Sequence, residues 1–474
     1  MKRCLFLIFL SVLSFAQVNW QYEQIDSVDI YQSYFGAINS LAIDTNGNPG
    51  VVYCSTGYRR GFYAYRHDGE WHKERLVAGG VGHSLVYDFN NIAHLSYYIG
   101  DTTTTPTTLL CYGTRIDSAN WQISVIDTIH YHFPGWDEMK TSLAFDTAGL
   151  PAIAYVSHDT IQPQYMKYAH YNGYFWDTSV VEYEGLNNRW TWSPSLKFDK
   201  HNKPHIVFTK TEGSGVVLRY YTYDTLNHWT LTWSKPLYGG GTVALDLELD
   251  SDQYPHIAYG EGADLAYSWW DGSSWQTDYI TGIGWVGVRI RLALDNYDQP
   301  HIIYLPDMVC RVFYCYKDSV WHNGWLYPDT NTGTCTNQDI DIQFDKKFCI
   351  MHTLYPSQTE GIPFSFLSHA WGEVVTKINE NKKSGIKDAR NGFNIYPNIS
   401  SGLLNVEWIQ KFRGGIELAI YDVCGKRIKS MVERNCPIGN CKKTLNLSDL
   451  TRGIYFIVLK QNDKEVSKKF TIIR

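Results

Sequence analysis

The sequence predicts an all-β protein, a seven-bladed β-propeller followed by a small C-terminal β-sandwich. Trp, Tyr and Phe make up 15% of the 474 residues, whereas only 19% are charged, and this composition favours strands. A strand-rich unit recurs with a period of roughly 40–55 residues, which is typical of propellers. The pattern and the charge balance both change near residue 377, so a second domain is expected there.

Each repeat unit starts with a small residue, Leu, any residue, an apolar residue and Asp, as in Ser-Leu-Ala-Ile-Asp at 40–44. We call the last residue of this segment the anchor aspartate. The anchor aspartates of the seven copies are Asp44, Asp88, Asp146, Asp199, Asp250, Asp295 and Asp345. Five residues after the first six anchors stand Pro49, Ala93, Pro151, Pro204, Pro255 and Pro300. In the seventh copy Phe348 is taken as the equivalent of Pro, after a shortened turn.

The spacing from Asp to Pro predicts a hairpin turn. The Asp carboxylate can accept hydrogen bonds from backbone N–H groups a few residues on, and Pro suits the first position of the next strand. Each unit then closes with a Trp. The closing residues are Trp71, Trp121, Trp176, Trp229 or Trp233, Trp275, Trp321 or Trp325, and Trp371. An additional segment around Trp20 resembles a closing strand and is predicted to pair with the seventh unit.

The domain boundaries follow from composition. Residues 1–16 combine a basic start, an apolar run and Ser-Phe-Ala, which predicts a secretory signal peptide cleaved after Ala16. The propeller spans 17–375, a polar linker 376–392, and the sandwich 393–474. No other segment approaches the ~20 apolar residues of a membrane helix. Without Cys4, nine cysteines remain; export permits disulfides, but an odd number leaves at least one thiol free.

The charge distribution argues against a nucleic-acid partner. The net charge is −6. From Lys377 onward there are 19 basic and 9 acidic residues, whereas the preceding part has 23 and 39. The basic residues of the C-terminal part alternate with strand residues, and an exported protein rarely meets nucleic acid.

Several motifs in the C-terminal part occur in the order of a known family. They are Tyr396-Pro397-Asn398, Tyr421-Asp422 with Gly425-Lys426, Gly453 with Tyr455, and Lys468-Lys469. Together they resemble the type A C-terminal sorting domain of the bacterial type IX secretion system, with Ile399 in place of a usual second Pro. The resemblance implies that residues 393–474 engage the type IX machinery, and that the protein passes through the periplasm to the cell surface or the medium.

The propeller units, clearest at 199–208, 250–259 and 295–304, resemble repeats of bacterial and archaeal surface propellers distantly related to the sialidase-like superfamily. This implies the fold but hardly an activity, since propellers carry many functions. The sialidase-type Asp box fails here because Asp and Gly are adjacent at 68–69 and 271–272. No motif places three arginines together, so no catalytic residue is predicted.

Two patterns suggest metal binding, and the sequence explains both otherwise. Residues 250–261 resemble a calcium loop, but Pro255 stands where that loop needs Gly. The recurring His94, His205, His256 and His301 could form a ring of ligands, yet a residue repeated in successive blades is better explained as a packed, hydrogen-bonded inter-blade histidine. No metal or cofactor is predicted. The acidic propeller would tolerate calcium, although no site can be named.

Functional residues are expected where the repeat is broken, in the segments that link blades. The candidate ligand-binding residues are Tyr131, Trp136, Glu138, Arg189, Trp190, Trp192 and Trp285. Exposed aromatic rings beside carboxylate and guanidinium groups suit carbohydrates, because a ring stacks on a sugar face and polar groups fix its hydroxyls. The alternative is that Trp136, Trp190 and Trp285, nine or ten residues before their anchors, form another packing repeat.

The sequence therefore predicts a secreted or surface binding and adhesion protein, with a glycan or protein ligand and no catalysis. One alternative is a sialidase-like glycan hydrolase, which a cluster of Arg with a Tyr–Glu pair on one rim would favour. The other is a structural surface-layer component, which a rim without exposed aromatics would favour.

Overall fold

The structure is a computed structural model. It describes residues 18, 20–29, 40–55, 60–76, 80–101, 107–118, 120–129, 140–158, 164–183, 192–213, 215–223, 228–238, 244–280, 289–306, 312–326, 340–358, 364–374, 393–396, 399–400, 402–410, 414–422, 426–436, 439–461 and 464–472. The predicted leader 1–16 and linker 376–392 lie outside these residues. The chain divides into two compact units, one formed mainly by Trp20–Asp345 and Met351–Gly372, the other mainly by Glu373–Arg474.

The first unit consists of seven four-stranded antiparallel sheets, the blades. The first strand of the chain is β1 (Gln21–Asp29), which belongs to the seventh blade. Blades one to three are β2 (Ser40–Ile43), β3 (Pro49–Ser55), β4 (Arg60–His67) and β5 (Glu70–Arg75); β6 (Val81–Tyr87), β7 (Ala93–Asp101), β8 (Thr107–Asp117) and β9 (Asn120–Ile129); β10 (Ser142–Phe145), β11 (Pro151–His158), β12 (Gln164–Tyr171) and β13 (Trp176–Tyr183).

Blades four to six are β14 (Trp192–Phe198), β15 (Pro204–Glu212), β16 (Gly215–Tyr223) and β17 (Trp229–Leu237); β18 (Leu245–Leu249), β19 (Pro255–Glu261), β20 (Asp264–Trp270) and β21 (Trp275–Ile280); β22 (Arg289–Leu294), β23 (Pro300–Leu305), β24 (Phe313–Lys317) and β25 (Trp321–Trp325). Blade seven is β26 (Asp341–Asp345), β27 (Ile350–Gln358), β28 (Phe364–Glu373) and β1. The first strand of each blade contacts the first strands of the neighbouring blades, and β26 contacts β2. The seven blades therefore form a closed ring around a channel, the predicted β-propeller.

The N-terminal strand closes the ring, as the sequence predicts for the segment around Trp20. β1 is the outermost strand of blade seven and pairs with β28, where Gln21 lies opposite Trp371. The assignment of Trp371 to a closing strand is wrong, because Trp371 lies on the third strand of its blade. The closing strand of the last blade comes instead from the other end of the propeller sequence.

The anchor aspartates form the hairpins that the sequence predicts. Asp44 accepts hydrogen bonds through Oδ1 from the backbone N–H groups of Asn46, at 2.8 Å, and Asn48, at 2.7 Å. The same pair of bonds recurs at Asp88, Asp146 and Asp295. The proposed equivalence of Phe348 to Pro is wrong. Strand β27 begins at Ile350, the fifth residue after its anchor, so the turn is not shortened.

The hydrophobic core is divided into clusters between adjacent blades. One cluster joins Tyr98 of blade two to Tyr155 and Ile153 of blade three, and another joins Leu354 of blade seven to Tyr53 of blade one. Burying one such side chain contributes about 1.5–3 kcal/mol to folding. Because each cluster draws on two blades, the packing of neighbours stabilises the ring as a whole.

The second unit is a β-sandwich, as predicted, with strands β29 (Phe393–Tyr396), β30 (Ile399–Ser400), β31 (Leu403–Gln410), β32 (Gly414–Asp422), β33 (Arg427–Cys436), β34 (Gly439–Asn446), β35 (Gly453–Gln461) and β36 (Lys464–Ile472). One sheet has the order β29-β31-β34 and the other β30-β36-β35-β32-β33. Their apolar faces share one core that includes Trp408, Ile457 and Phe470. The pairing is antiparallel except for β30, which lies parallel to β36.

The thiols fit the prediction that at least one cysteine stays free. Cys111 and Cys315 are free and buried in the propeller, whereas Cys349 is disulfide-bonded. Burial raises the pKa of the Cys111 thiol to about 11, so it is not an activated nucleophile. Within the described part of the chain, no helix is long and apolar enough to cross a membrane.

Candidate functional site: the central channel

The inner edges of the seven first strands face the channel, and none of the described strands pairs with them. An open strand edge exposes backbone N–H groups that need acceptors. These acceptors come from the residues four positions before the anchor aspartates, which we call the staple residues. The staple residues are Ser40, Ser84, Ser142, Ser195, Asp246, Arg291 and Asp341.

Six staple residues accept a hydrogen bond from the first strand of the next blade. Ser40 Oγ accepts from Leu85 N at 3.0 Å, and Ser142 Oγ accepts from Leu196 N at 2.9 Å. The other bonds join Ser84 to Leu143, Ser195 to Leu247, Asp246 to Leu292 and, across the ring closure, Asp341 to Leu41. Serine and aspartate are short acceptors that reach a neighbouring edge, so this position stabilises the ring.

Arg291 interrupts this pattern, because a guanidinium group only donates. The N–H of Ile342 in the next blade instead donates to its own neighbour, Asp341 Oδ1, at 2.9 Å. Arg291 Nε lies 3.7 Å from the same oxygen. The staple position is therefore serine in blades one to four and charged in blades five to seven, so the channel wall has a charged side.

The channel contains a cavity of about 300 Å³, at the lower end of the range for ligand pockets. Strands from all seven blades line it. Its charged and amide-bearing residues are Lys140, Lys197, Asp246, Arg291, Asp341 and Gln343. Lys197, at 31% side-chain exposure, bonds through Nζ to Glu248 Oε1 at 2.5 Å. Burial alone would lower the pKa of Lys197, but the carboxylates of Glu248, Asp246 and Asp341 outweigh it and raise the pKa.

The channel carboxylates are engaged in structural bonds. Asp246 accepts from Ser195 Oγ and Leu247 N through Oδ1, both at 2.9 Å, and from Leu292 N through Oδ2 at 3.0 Å. Asp341 accepts backbone N–H groups through both oxygens. These hydrogen bonds fix both carboxylates as acceptors for the neighbouring strands. The arrangement suits binding through fixed polar groups.

The four recurring histidines are structural, but their polar partners differ from the prediction. His205 Nδ1 hydrogen-bonds Tyr220 Oη at 2.5 Å and its Nε2 faces Asp199 at 3.6 Å. All these partners lie in the same blade rather than between blades. Equivalent Asp–His–Tyr groups surround His94, His256 and His301. Burial lowers the pKa of His205 to about 4. Among the described residues, no three His, Cys, Asp or Glu side chains are arranged to hold a metal ion.

A Tyr–Glu pair near an arginine does occur, between blades three and four. Glu182 of β13 bonds Lys210 Nζ at 2.6 Å and lies 3.8 Å from Arg219 Nε. Tyr221 is buried there, and burial together with the Glu182 carboxylate raises its pKa. A buried tyrosine with a raised pKa is not a nucleophile. The cluster is a clamp between blades, and the residues named here do not reproduce an arginine triad.

The candidate ligand residues are not placed by the structure. Tyr131, Trp136, Glu138, Arg189, Trp190 and Trp285 lie outside the described residues, and for Trp192 only the backbone is described, at the start of β14. They stay predictions. The channel residues were missed although the sequence carries their signal, a change from serine to charged residues four positions before the last three anchors.

The sorting-motif residues that the structure describes fall on four strands of the sandwich, β29, β32, β35 and β36, or directly beside them. Asp422 Oδ1 accepts from Lys426 N at 2.9 Å, a bond from the backbone four residues on like that of the anchor aspartates. Tyr455 stacks on Phe470 and donates to Thr451 O at 3.0 Å. Gly453 begins β35, Tyr421 lies on β32, and Lys468 and Lys469 are exposed on β36. Pro397, Asn398 and Gly425 lie outside the described residues, as does the side chain of Tyr396.

Residues 394–473 match the family described as the secretion system C-terminal sorting domain. This confirms the resemblance predicted from the motifs. The protein carries a type IX sorting tail, which implies interaction with the type IX machinery and secretion to the cell surface or the extracellular space. Among proteins with curated descriptions, none matches this chain significantly.

Several solved structures resemble the chain at a distance. A PL25 ulvan lyase is 11% identical, covers 72% of this chain and 95% of its own, and gives a TM-score of 0.48. The Hadza microbial sialidase Hz136 is 11% identical, with coverages of 57% and 63% and a TM-score of 0.40. PorZ, a surface component of the type IX secretion system of Porphyromonas gingivalis, is 10% identical, with coverages of 92% and 70% and a TM-score of 0.28. None of these likenesses assigns an activity to this chain.

Proposed function

We propose that this protein is an extracellular binding or adhesion protein that holds a glycan at the propeller and does not transform it. The sorting tail delivers it to the cell surface or the medium. The observation that carries the proposal is the polar cavity in the channel, whose wall presents hydroxyl, amide, ammonium and guanidinium groups. Its two aspartates already accept backbone N–H groups of neighbouring strands, which supports binding rather than catalysis.

The ligand would enter where the segments that link blades join the first strands. The channel's first strands all begin at the same end of the ring, because each blade runs in the same direction from its inner strand. Lys140, two residues before β10, belongs to this end. The predicted ligand residues precede first strands in the sequence, and we propose that their aromatic rings add stacking contacts to the bound glycan.

A glycan and polysaccharide array tests this function. The purified secreted chain is applied with and without calcium, and each hit is then assayed for released sugar. Binding without turnover is the expected result. Turnover of a bound glycan would instead identify a glycan-active enzyme, and the absence of any binding would favour a protein ligand or a structural surface-layer role.

A further inference from the structure

The channel edge presents a set of backbone acceptors beside the staple residues. In an antiparallel strand, the N–H and C=O of one residue point toward the same edge. The N–H groups of Leu85, Leu143 and Leu196 point to the open edge, because each is capped by a serine of the preceding blade. Their carbonyl groups therefore share that edge and offer acceptors to a ligand that donates hydrogen bonds.

The charged side of the channel supplies donors. The Lys197 ammonium group has three N–H donors, of which one bonds Glu248. Arg291 lines the same cavity, with Nε 3.7 Å from Asp341 Oδ1 and Nη1 donating to Ile290 O at 2.7 Å. Gln343 adds an amide that both donates and accepts. A ligand in this cavity thus meets acceptors along the strand edges and donors on one wall.

The charges of the lining and of the carboxylate that bonds Lys197 argue against an ionic ligand. The cations Lys140, Lys197 and Arg291 are balanced by Asp246 and Asp341 in the lining and by Glu248, which bonds Lys197. A buried ion is bound only where an opposite charge compensates it, and no excess charge of either sign is found among these groups. Hydroxyl groups donate and accept at once, so they match both kinds of group in the wall.

We propose that the central channel is a binding site for a neutral, hydroxyl-rich sugar residue, whose hydroxyls donate to the strand-edge carbonyls and accept from Lys197 and Gln343. This inference rests on the proposed glycan-binding function and specifies its site and ligand class. The sugar is a terminal or branch residue, because a cavity of about 300 Å³ holds one small ligand and not a threaded polysaccharide.

The test uses the full secreted chain and two channel variants. Gln343→Leu removes the amide without changing charge, and the double variant Lys197→Met with Glu248→Gln removes both charges of the bonded pair together. Lys200→Met is the matched control, since Lys200 is exposed in the turn after Asp199. The probes are methyl β-glucopyranoside, galactopyranoside and xylopyranoside with the matching methyl uronates. Affinity is measured by calorimetry and saturation-transfer NMR, and folding by thermal unfolding.

We expect at least one neutral glycoside to bind, with affinity reduced at least about tenfold in both channel variants and unchanged in Lys200→Met. Reduced affinity in Gln343→Leu at an unchanged unfolding temperature separates the site from a folding defect. If the variants bind as the wild type does, the channel inference fails while the glycan-binding function stands. Tighter binding of the uronates would overturn the neutral class. If no glycan of the probe set or the array binds, the proposed function fails as well.

Discussion

Ser142 shows how a single side chain can satisfy an open strand edge. Its hydroxyl accepts the N–H of Leu196 from the next blade at 2.9 Å. Leu196 is buried, so its N–H would otherwise lose hydration without gaining an acceptor. The same hydrogen bond recurs around the ring. Accepting the N–H of the next blade therefore explains why blades one to four carry serine at this position.

Substitution Ser142→Ala should lower the free energy of unfolding by about 1–2 kcal/mol, because a buried donor loses its acceptor. Denaturant unfolding measures this. The matched control is Ser273→Ala, which removes an exposed hydroxyl bonded to Asp271 and should cost less than about 0.5 kcal/mol. Equal effects of the two substitutions would show that water replaces the Ser142 hydroxyl.

The sequence alone predicts the turn chemistry of Asp44 but not the role of Ser40. Asp44 acts on its own backbone, so spacing along the chain is enough to reveal it. Ser40 acts on Leu85 of another blade, and only the position of neighbouring blades defines that contact. The histidines were recognised as packed residues, but their tyrosine partners lie 11–18 residues away in their own blades.

At the scale of strands, equivalent positions of neighbouring blades carry reversed charges. Glu182 on the outer strand of blade three pairs with Lys210 on the second strand of blade four. Lys235 on the outer strand of blade four pairs with Glu261 on the second strand of blade five, at 2.5 Å. Both pairs are largely buried. The Lys235–Glu261 pair thus occupies the same positions as the Glu182–Lys210 pair, with the cation and the anion exchanged.

Exchanging the charges of Lys235 and Glu261 should therefore be tolerated. Lys235→Glu or Glu261→Lys alone leaves like charges buried together and should cost about 3 kcal/mol or more. The double variant restores a pair of the same orientation as Glu182 and Lys210, and should recover most of that loss. A double-mutant cycle on denaturant unfolding measures the coupling energy of the two residues. Additive losses of unfolding free energy would show that the pair does not stabilise the contact between blades.

The buried His205 of blade four makes stability depend on pH. Burial lowers the pKa of His205 to about 4, below the value of about 6.5 in an unfolded chain. The unfolded state therefore binds more protons between these values, so stability is full above pH 6.5 and falls as the pH drops toward 4. His205 should contribute roughly 3 kcal/mol to this fall.

The variant His205→Asn isolates this contribution. Unfolding free energies at pH 7 and pH 4.5 should differ less in the variant than in the wild type. An equal difference in both proteins would mean that His205 is protonated in the folded state at pH 4.5.

At the scale of the whole molecule, the N-terminal strand completes a ring whose other strands follow one another along the chain. β1 bonds β28 along its length, and Glu23 on β1 accepts from His369 at 2.8 Å and lies 3.3 Å from Arg66 of blade one. Blade count and ring closure are predictable from the repeat. The closing role of Trp371 was misassigned because the repeat pattern shows similarity between strands but not their pairing.

Removing residues 20–29 should expose the edge of β28 and open the ring. We expect a loss of cooperative unfolding and a tendency to associate, since an unpaired edge templates other strands. Thermal unfolding and size-exclusion chromatography measure this, with a synthetic peptide of residues 18–29 added to restore closure. A truncated protein as stable as the full chain would contradict a closing role for β1.

The central claim is that a glycan binds at the end of the propeller where the linking segments lie, without being transformed. The most direct measurement is the affinity of Trp136→Ala and Trp190→Ala for a glycan bound by the wild type, with thermal unfolding and product release recorded on the same samples. The account predicts that binding is lost, the unfolding temperature is little changed and no product appears. Unchanged binding, or strong destabilisation in both variants, would contradict it and identify the two residues as packing positions.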